Sequence, residues 1–344
     1  MKMFNRASFL INLIKAKIQN KYIPLTVIYN ITNRCNARCK YCYLEYYKRH
    51  RFEPTKEQIF AVIDELKKMG NKRISLGGGE PLIRQDIGEI IDYIKYNELA
   101  CVINSNGILV PKKINLLKKI DTLCISLDGE EKIHDLYRGN GSFKNVLRAI
   151  KYARESGLSV NTNTVLNKSN LRSIDYILEL AKIYNFSVEF NLLIGYLPDN
   201  SRPNLKAENK DLRKAINKII YYKRKGYPIL MSEKAYRYAL SWPDYNIEEI
   251  KNNKPNFKHL KCFAGKYFCA IDTNGKVYAC PHLIGKVGAI SCYKDGFANA
   301  FDNSLIHNCK SCYQIYHNEF NLLFNFDFSV ILNHIKNTLR LNNL

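Results

Sequence analysis

Apolar residues along this chain fall into two alternating textures. The runs "LTVIYNI", "RISLGGG", "ACVINSN", "TLCISLDG", "LSVNTNTVL" and "SVEFNLL" predict six strands between residues 24 and 193. Between them, "TKEQIFAVIDELKKMG", "DIGEIIDYIKYN", "SFKNVLRAIKYARESG" and "LRSIDYILELAKIYN" carry apolar residues at helical spacing. Gly70 and Gly157 stand where helix C-caps belong, and Ser142 where an N-cap belongs. Six βα units in series imply a parallel sheet with right-handed crossovers. They are too few for a closed eight-stranded barrel, so the expected fold is α/β, an open, partial (β/α)6 TIM-like barrel. Functional groups in such a sheet collect in the loops beyond the strand C-termini.

The texture changes outside that block. Residues 1–23 predict an amphipathic helix, 24–205 the barrel, and 206–260 a helical linker that passes Trp242 and breaks at the polar "NNKPN". Residues 261–315 form a small Cys- and Gly-rich domain, in which "AIDTNGKVYAC" reads as a hairpin turning at Asn274-Gly275. So short a piece builds little core of its own, and its fold is expected to depend on a metal. Residues 316–344 predict a C-terminal amphipathic helix. For both terminal helices core packing is the first reading and peripheral membrane contact the second.

Charge and cysteine content narrow the class. The 344 residues include 53 Lys and Arg against 31 Asp and Glu, a net charge of +22. That balance suits an acidic partner. The basic residues are scattered and no aromatic run is interleaved with Arg, so nucleic-acid binding is not expected. Eleven cysteines, an odd number, do not read as a secreted disulfide framework. The N-terminal apolar stretch is interrupted by Lys15 and Lys17, unlike a signal peptide. The expected compartment is the reducing cytoplasm, with clustered thiols as metal ligands. Cys101 and Cys124, within predicted strands, read as small buried residues.

Three of those thiols, Cys35, Cys39 and Cys42, follow the first strand in "NITNRCNARCKYCYLEYY". A closed structural zinc site takes four ligands, and each iron of a cubane iron–sulfur cluster also takes one. Three protein ligands leave one iron open to a small molecule. This Cys-x3-Cys-x2-Cys spacing, with Tyr41 before the last thiol, resembles the signature of radical S-adenosylmethionine (radical SAM) enzymes. The resemblance implies a [4Fe–4S] cluster whose open iron chelates SAM, and reductive cleavage of SAM to a 5′-deoxyadenosyl radical that abstracts hydrogen from a substrate. "LGGGEP" matches the family's GGE motif, which implies that Gly78, Gly79 and Glu80 bind SAM. "NSNG", Asn104 to Gly107, stands at the next strand end, as in many relatives.

"ISLDG" followed by "EEKIHDLYRGNGSF" resembles relatives that carry SPASM or twitch auxiliary domains. There, residues at the positions of Ser126 and Arg138 hold the SAM carboxylate, consistent with the match of a guanidinium fork to a carboxylate. Asp128 is read as a ribose contact or a turn residue, and His134 and Asp135 as groups that order the loop. One of Asn163 and Thr164 is expected to face the mouth. Cys262, Cys280, Cys309 and Cys312, with Gly275 inside the first interval, resemble the ligands of one auxiliary [4Fe–4S] cluster. A zinc site on the same four thiols is the alternative. Cys269 or Cys292 is a possible substitute ligand, and His282 reads as a packing residue.

The resemblance implies an external low-potential donor, a flavodoxin or ferredoxin, and a peptide or small-molecule substrate that it does not identify. A lipid or polyprenyl-linked substrate is the alternative. Two readings from other classes, a non-catalytic iron–sulfur scaffold and a zinc-dependent nucleic-acid binder, predict no SAM cleavage.

Overall fold

The computed structural model describes residues 3–49, 52–195, 204–251 and 257–342; the "NNKPN" break lies outside them. Strands β1 (Thr26–Thr32), β2 (Arg73–Gly78), β3 (Ala100–Ser105), β4 (Thr122–Ser126), β5 (Val160–Leu166) and β6 (Ser187–Leu192) pair in parallel in sequence order. Helices α2 (Lys56–Lys68), α3 (Ile87–Tyr96), α4 (Val110–Leu117), α5 (Glu131–Arg138), α6 (Ser142–Glu155) and α7 (Ile174–Ile183) fill the crossovers. The strands are almost entirely buried, as a parallel sheet covered on both faces requires. β1 and β6 do not pair among the described residues, so the barrel is open.

Local chemistry sets the boundaries. α2 begins in a capping box, Thr55 accepting from the Gln58 amide and Gln58 from the Thr55 amide. The chain leaves it through Gly70 at φ +90°. Ser142 is not the N-cap of α6, as the sequence suggested. It is the first helical residue, and the cap is supplied by Asp135, whose carboxylate accepts from the Gly141 and Phe143 amides and the Ser142 hydroxyl. The preceding turn needs glycine at positive φ, leaving the acceptor to come from the helix before.

The Cys-rich segment extends the barrel sheet. Its first strand, β8 (Phe268–Ile271), pairs in parallel with β1, and β9 (Val277–Tyr278) pairs antiparallel with β8. The sheet among the described residues therefore runs β6-β5-β4-β3-β2-β1-β8-β9. Phe268, Cys269, Ala270 and Ile271 are buried in the same core as the barrel. Burying Phe268 and Ile271 contributes about 1.5–3 kcal/mol each, so the hairpin shares the barrel's core. Cys312 sits on β10 (Ser311–Cys312), which pairs with β7 (Glu249–Ile250) from the segment after α8 (Asn209–Arg224) and α9 (Glu233–Leu240). Short helices α10 (Cys292–Asp295) and α11 (Phe297–Asn303) pack beside α2.

The C-terminal helix expected over 316–344 is two helices, α12 (Ile315–Phe324) and α13 (Phe328–Asn342). The break falls at Phe326, with φ +58°, and Asp327, whose carboxylate accepts from Ser329 and the Val330 amide and so starts α13. α12 is buried on nearly every side and packs on α9 and β6. At the other end, α1 (Met3–Ile18) buries Phe9, Leu13 and Ala16.

Candidate functional site

The strands end around a cavity of about 380 Å³. Its wall includes Cys35, Cys39, Tyr41 and Cys42 from the loop after β1, Gly77 and Gly78 at the end of β2 with Gly79 just beyond, Asn104 of β3 with Asn106 just beyond, Ser126 from β4, and Arg138 from α5. Asn163 of β5 also lines it, while Thr164 points away and donates to Leu127 O at 2.6 Å.

The glycines let two backbones meet. A Cβ on Gly78 would lie 2.4 Å from Thr32 O, and one on Gly79 2.1 Å from Arg34 O. The Gly79 and Glu80 amides instead donate to Thr32 O and Arg34 O, both at 2.8 Å. This stitching fixes the base of the thiol loop. Burial pushes the Cys35 thiol up to about 11, although the Ala37 amide opposes the shift. Burial also raises Cys39, against the pull of the Arg138 guanidinium. Thiols so placed are poor anions alone, whereas a metal centre deprotonates its coordinating thiols outright.

Arg138 is held in a buried polar cluster. Its Nε donates to Asp128 Oδ2 at 2.5 Å, Nη2 to the Tyr41 hydroxyl, and Nη1 to Cys39 Sγ at 3.6 Å. Tyr41 in turn donates to Asp128 Oδ2 at 2.6 Å. Its buried ring lies under the guanidinium, 5.3 Å from centroid to Cζ. The Asp128 amide donates to His134 Nδ1, and burial lowers that imidazole to about 4, so it stays a neutral acceptor. His134 and Asp135 thus order the loop.

Two expected cofactor contacts do not line the cavity. Asp128 is fully buried, with its carboxylate turned to Arg138 and Tyr41. Glu80 is buried too, accepting from the Leu82 amide, the Ser105 hydroxyl and the Asn106 amide. Both Glu80 oxygens are engaged in holding neighbouring loops, whereas Asp128 uses Oδ2 for Tyr41 and Arg138 and keeps a buried Oδ1 without a hydrogen-bond partner among the described residues. Burial lifts Glu80 to about 7 despite those donors.

Sequence reasoning missed the floor. Arg73, Cys124, Asn161, Glu189, Asn191 and Tyr316 line it. Arg73 Nη1 donates to Thr26 Oγ1 and to the Tyr316 hydroxyl, at 3.1 and 3.0 Å. Glu189 accepts from the Cys124 thiol at 3.2 Å, and burial raises its pKa. Cys124 is therefore a polar floor residue and not simply small core. The signal was available in "SVEFNLL", where a lone carboxylate interrupts an apolar strand.

The C-terminal thiols form a second group. Cys280, Cys309 and Cys312 are each raised by burial, Cys309 to about 12, and each feels Cys262 electrostatically. Cys269, raised by burial, is raised further by Cys292 instead. His282, expected to pack, has a ligand atom within 4.8 Å of those of Cys280 and His317, and its ring meets Tyr43 edge-on at 6.2 Å. His282 and His317 both border the main cavity.

A family model described as the Radical SAM superfamily matches residues 29–181, the stretch carrying the thiol loop, the glycines and Arg138. Residues 29–181 therefore carry a radical SAM domain. This radical SAM chain is 27% identical over 290 residues to mycofactocin maturase MftC of Mycobacterium tuberculosis, covering 82% of this chain and 71% of the relative. It is 34% identical over 162 residues to Fe-coproporphyrin III synthase of Methanosarcina barkeri, covering 45% and 40%. Its fold resembles Streptococcus suis SuiB bound to S-adenosylmethionine, with TM-score 0.65, 17% identity, and 83% and 67% of the chains covered. Through that domain it is a radical SAM enzyme, using a [4Fe–4S] cluster and SAM. The residues fit that requirement, with three thiols and the facing glycine backbone bordering one cavity. No helix among the described residues is long and apolar enough to cross a membrane.

Proposed function

We propose that Cys35, Cys39 and Cys42 hold the SAM-binding cluster, with Tyr41, Gly78, Gly79, Ser126 and Arg138 around SAM, and that a polar substrate rests on the floor beneath. Bound there, the cluster and SAM supply a 5′-deoxyadenosyl radical that abstracts a substrate hydrogen. Ser126 and Arg138 orient the SAM carboxylate. Asp128 fixes the guanidinium, and Glu80 positions the Asn106 loop without touching the ligand. The observation that carries this reading is the shared cavity wall formed by the three thiols, Gly78, Gly79 and Arg138.

Cys262, Cys280, Cys309 and Cys312 are assigned to one auxiliary [4Fe–4S] cluster. The floor carboxamides, with Arg73 and Glu189, suit a peptide or a small molecule rich in hydrogen-bonding groups. The relatives' names, a maturase and a synthase, support either class. The net charge of +22 suits an acidic flavodoxin or ferredoxin as electron donor, in a reducing cytoplasm.

Anaerobic reconstitution with SAM and dithionite tests the reading. 5′-Deoxyadenosine should form in wild type and be lost when Cys35, Cys39 and Cys42 are changed to Ala. Brown, iron-loaded protein that yields none would overturn it. Turnover of cell extract in deuterated solvent, read by mass spectrometry, then seeks the substrate.

A further inference from the structure

Two apolar stripes lie outside the core. On α1, Ile11, Ile14 and Ile18 are 49, 45 and 80% exposed and repeat at helical spacing, away from buried Phe9, Leu13 and Ala16. On α13, Phe328, Leu332 and Ile335 are 72, 37 and 48% exposed, again at helical spacing. Leaving six large side chains in water along two matched stripes marks an interaction face.

A second cavity, of about 220 Å³, lies between these helices. Phe9 and Leu10 of α1, Phe320 and Leu323 of α12, and Ile331 and Ile335 of α13 border it. Ile335 belongs to both the stripe and the rim, so the cavity meets the apolar face. Its inner end touches Arg73, Asn161, Glu189 and Tyr316, which also line the reaction cavity.

Charge selects the occupant. Lys15 and Lys336 are exposed beside the stripes, and Lys17 Nζ lies 4.7 Å from the ring of Phe326, in the break before α13. The nearby carboxylates are engaged: Asp121 with Lys95 at 2.6 Å, Asp327 with Lys234, and buried Glu319 with Ser232 and His334. A second copy would bring like charge against like charge, on a chain of +22. An anionic bilayer offers the opposite charge and free hydrocarbon.

We propose that the α1–α13 face is a peripheral membrane-binding surface for anionic lipid. This needs no cluster and stands apart from the SAM reading.

Co-sedimentation tests it. Wild type should bind vesicles of phosphatidylglycerol and phosphatidylcholine, and bind phosphatidylcholine alone much more weakly. Ile14→Glu combined with Ile335→Glu should weaken binding about tenfold or more. Tyr96→Glu combined with Ile183→Glu, which changes exposed apolar residues elsewhere, should bind as wild type does. The sole native tryptophan, Trp242, is buried, so Leu332→Trp reports insertion by a blue shift with the anionic vesicles. Absent vesicle binding, an equal loss in the control pair, or an unshifted Leu332→Trp emission overturns the proposal. So does a dimer in light scattering that Ile14→Glu and Ile335→Glu dissociate, since the occupant is then a second copy. SAM cleavage with dithionite, followed in parallel, separates failure here from failure of the catalytic reading.

Discussion

Arg49 and Asp272 form a two-pronged ion pair, with Nη1 to Oδ1 at 3.1 Å and Nη2 to Oδ2 at 2.5 Å. It joins the thiol loop after β1 to the turn of the β8–β9 hairpin. Beside it, Thr273 Oγ1 donates to Asn33 Oδ1 at 2.9 Å in a buried contact. Asp272 is almost wholly buried, so Asp272→Ala leaves a half-buried guanidinium without its carboxylate. The variant should lose about 2–3 kcal/mol in urea denaturation. It should also retain less iron at the first cluster, although residue 272 is outside the assigned ligands. Wild-type stability together with wild-type iron content would show that the hairpin does not brace the loop.

The glycine triplet should respond unevenly to substitution. A Cβ on Gly77 meets only side-chain ends, Asn30 Oδ1 at 3.2 Å, which can move, and Asn104 Nδ2 at an ordinary 3.8 Å. On Gly78 and Gly79 it strikes backbone carbonyls. Gly77→Ala should therefore fold and load iron, whereas Gly79→Ala should cost about 3 kcal/mol or more and lose the visible iron–sulfur absorbance. Gly78→Ala adds strain at φ +118° and should behave like Gly79→Ala.

Arg138 acts through its fixed orientation as much as its charge. Arg138→Lys keeps the charge but loses the fork that engages Asp128 and Tyr41 together. SAM affinity, measured by equilibrium dialysis on the reconstituted protein, should fall about tenfold, or ~1.4 kcal/mol. Asp128→Ala should cost a similar amount, because it frees the guanidinium. The double variant should be no worse than the poorer single one. Additive losses would mean that Asp128 contributes independently of Arg138.

The buried Glu80 carboxyl gives the apoprotein a pH signature. Its folded pKa, about 7, lies above the ordinary 4.5, so the folded chain holds this proton more tightly than the unfolded chain. Its contribution favours folding below about pH 4.5 and is withdrawn as pH rises to about 7, by about 3 kcal/mol. Glu80→Gln keeps an acceptor and removes the titration. Denaturation from pH 5 to 7.5 should give a flatter profile for Glu80→Gln than for wild type. Parallel profiles would locate the dependence elsewhere.

Legibility followed locality. The six strands and their crossovers are written in period-two and helical patterns, and the cysteines, glycines and Arg138 stand at strand ends that topology brings together. Tertiary pairing was hidden: nothing local in "FCAI" says that β8 lies parallel to β1, more than two hundred residues away. Asp128 and Glu80 were ambiguous in the sequence for a related reason. A carboxylate beside a binding loop reads as a contact, and only packing reveals whether its oxygens are already claimed. Arg73 and Glu189 were masked because a charged residue in a strand faces either core or solvent, and periodicity gives the face without the partner.

The two thiol groups make the last prediction, which concerns ligand identity. Cys269 and Cys292 are both buried, on β8 and α10, and Cys292 acts electrostatically on Cys269, whereas Cys280, Cys309 and Cys312 all sense Cys262. If each assigned set holds a four-iron cluster, wild type carries about eight irons per chain. Changing Cys35, Cys39 and Cys42 to Ala should leave about four, still coloured and still reducible, and abolish SAM cleavage. Cys280→Ser should lower the auxiliary signal in electron paramagnetic resonance and spare the first cluster. Cys269→Ser with Cys292→Ser should keep all the iron, because these thiols serve the core. Iron loss in that last pair, with Cys262→Ser retaining its iron, would transfer a ligand role to β8 or α10 and redraw the auxiliary set.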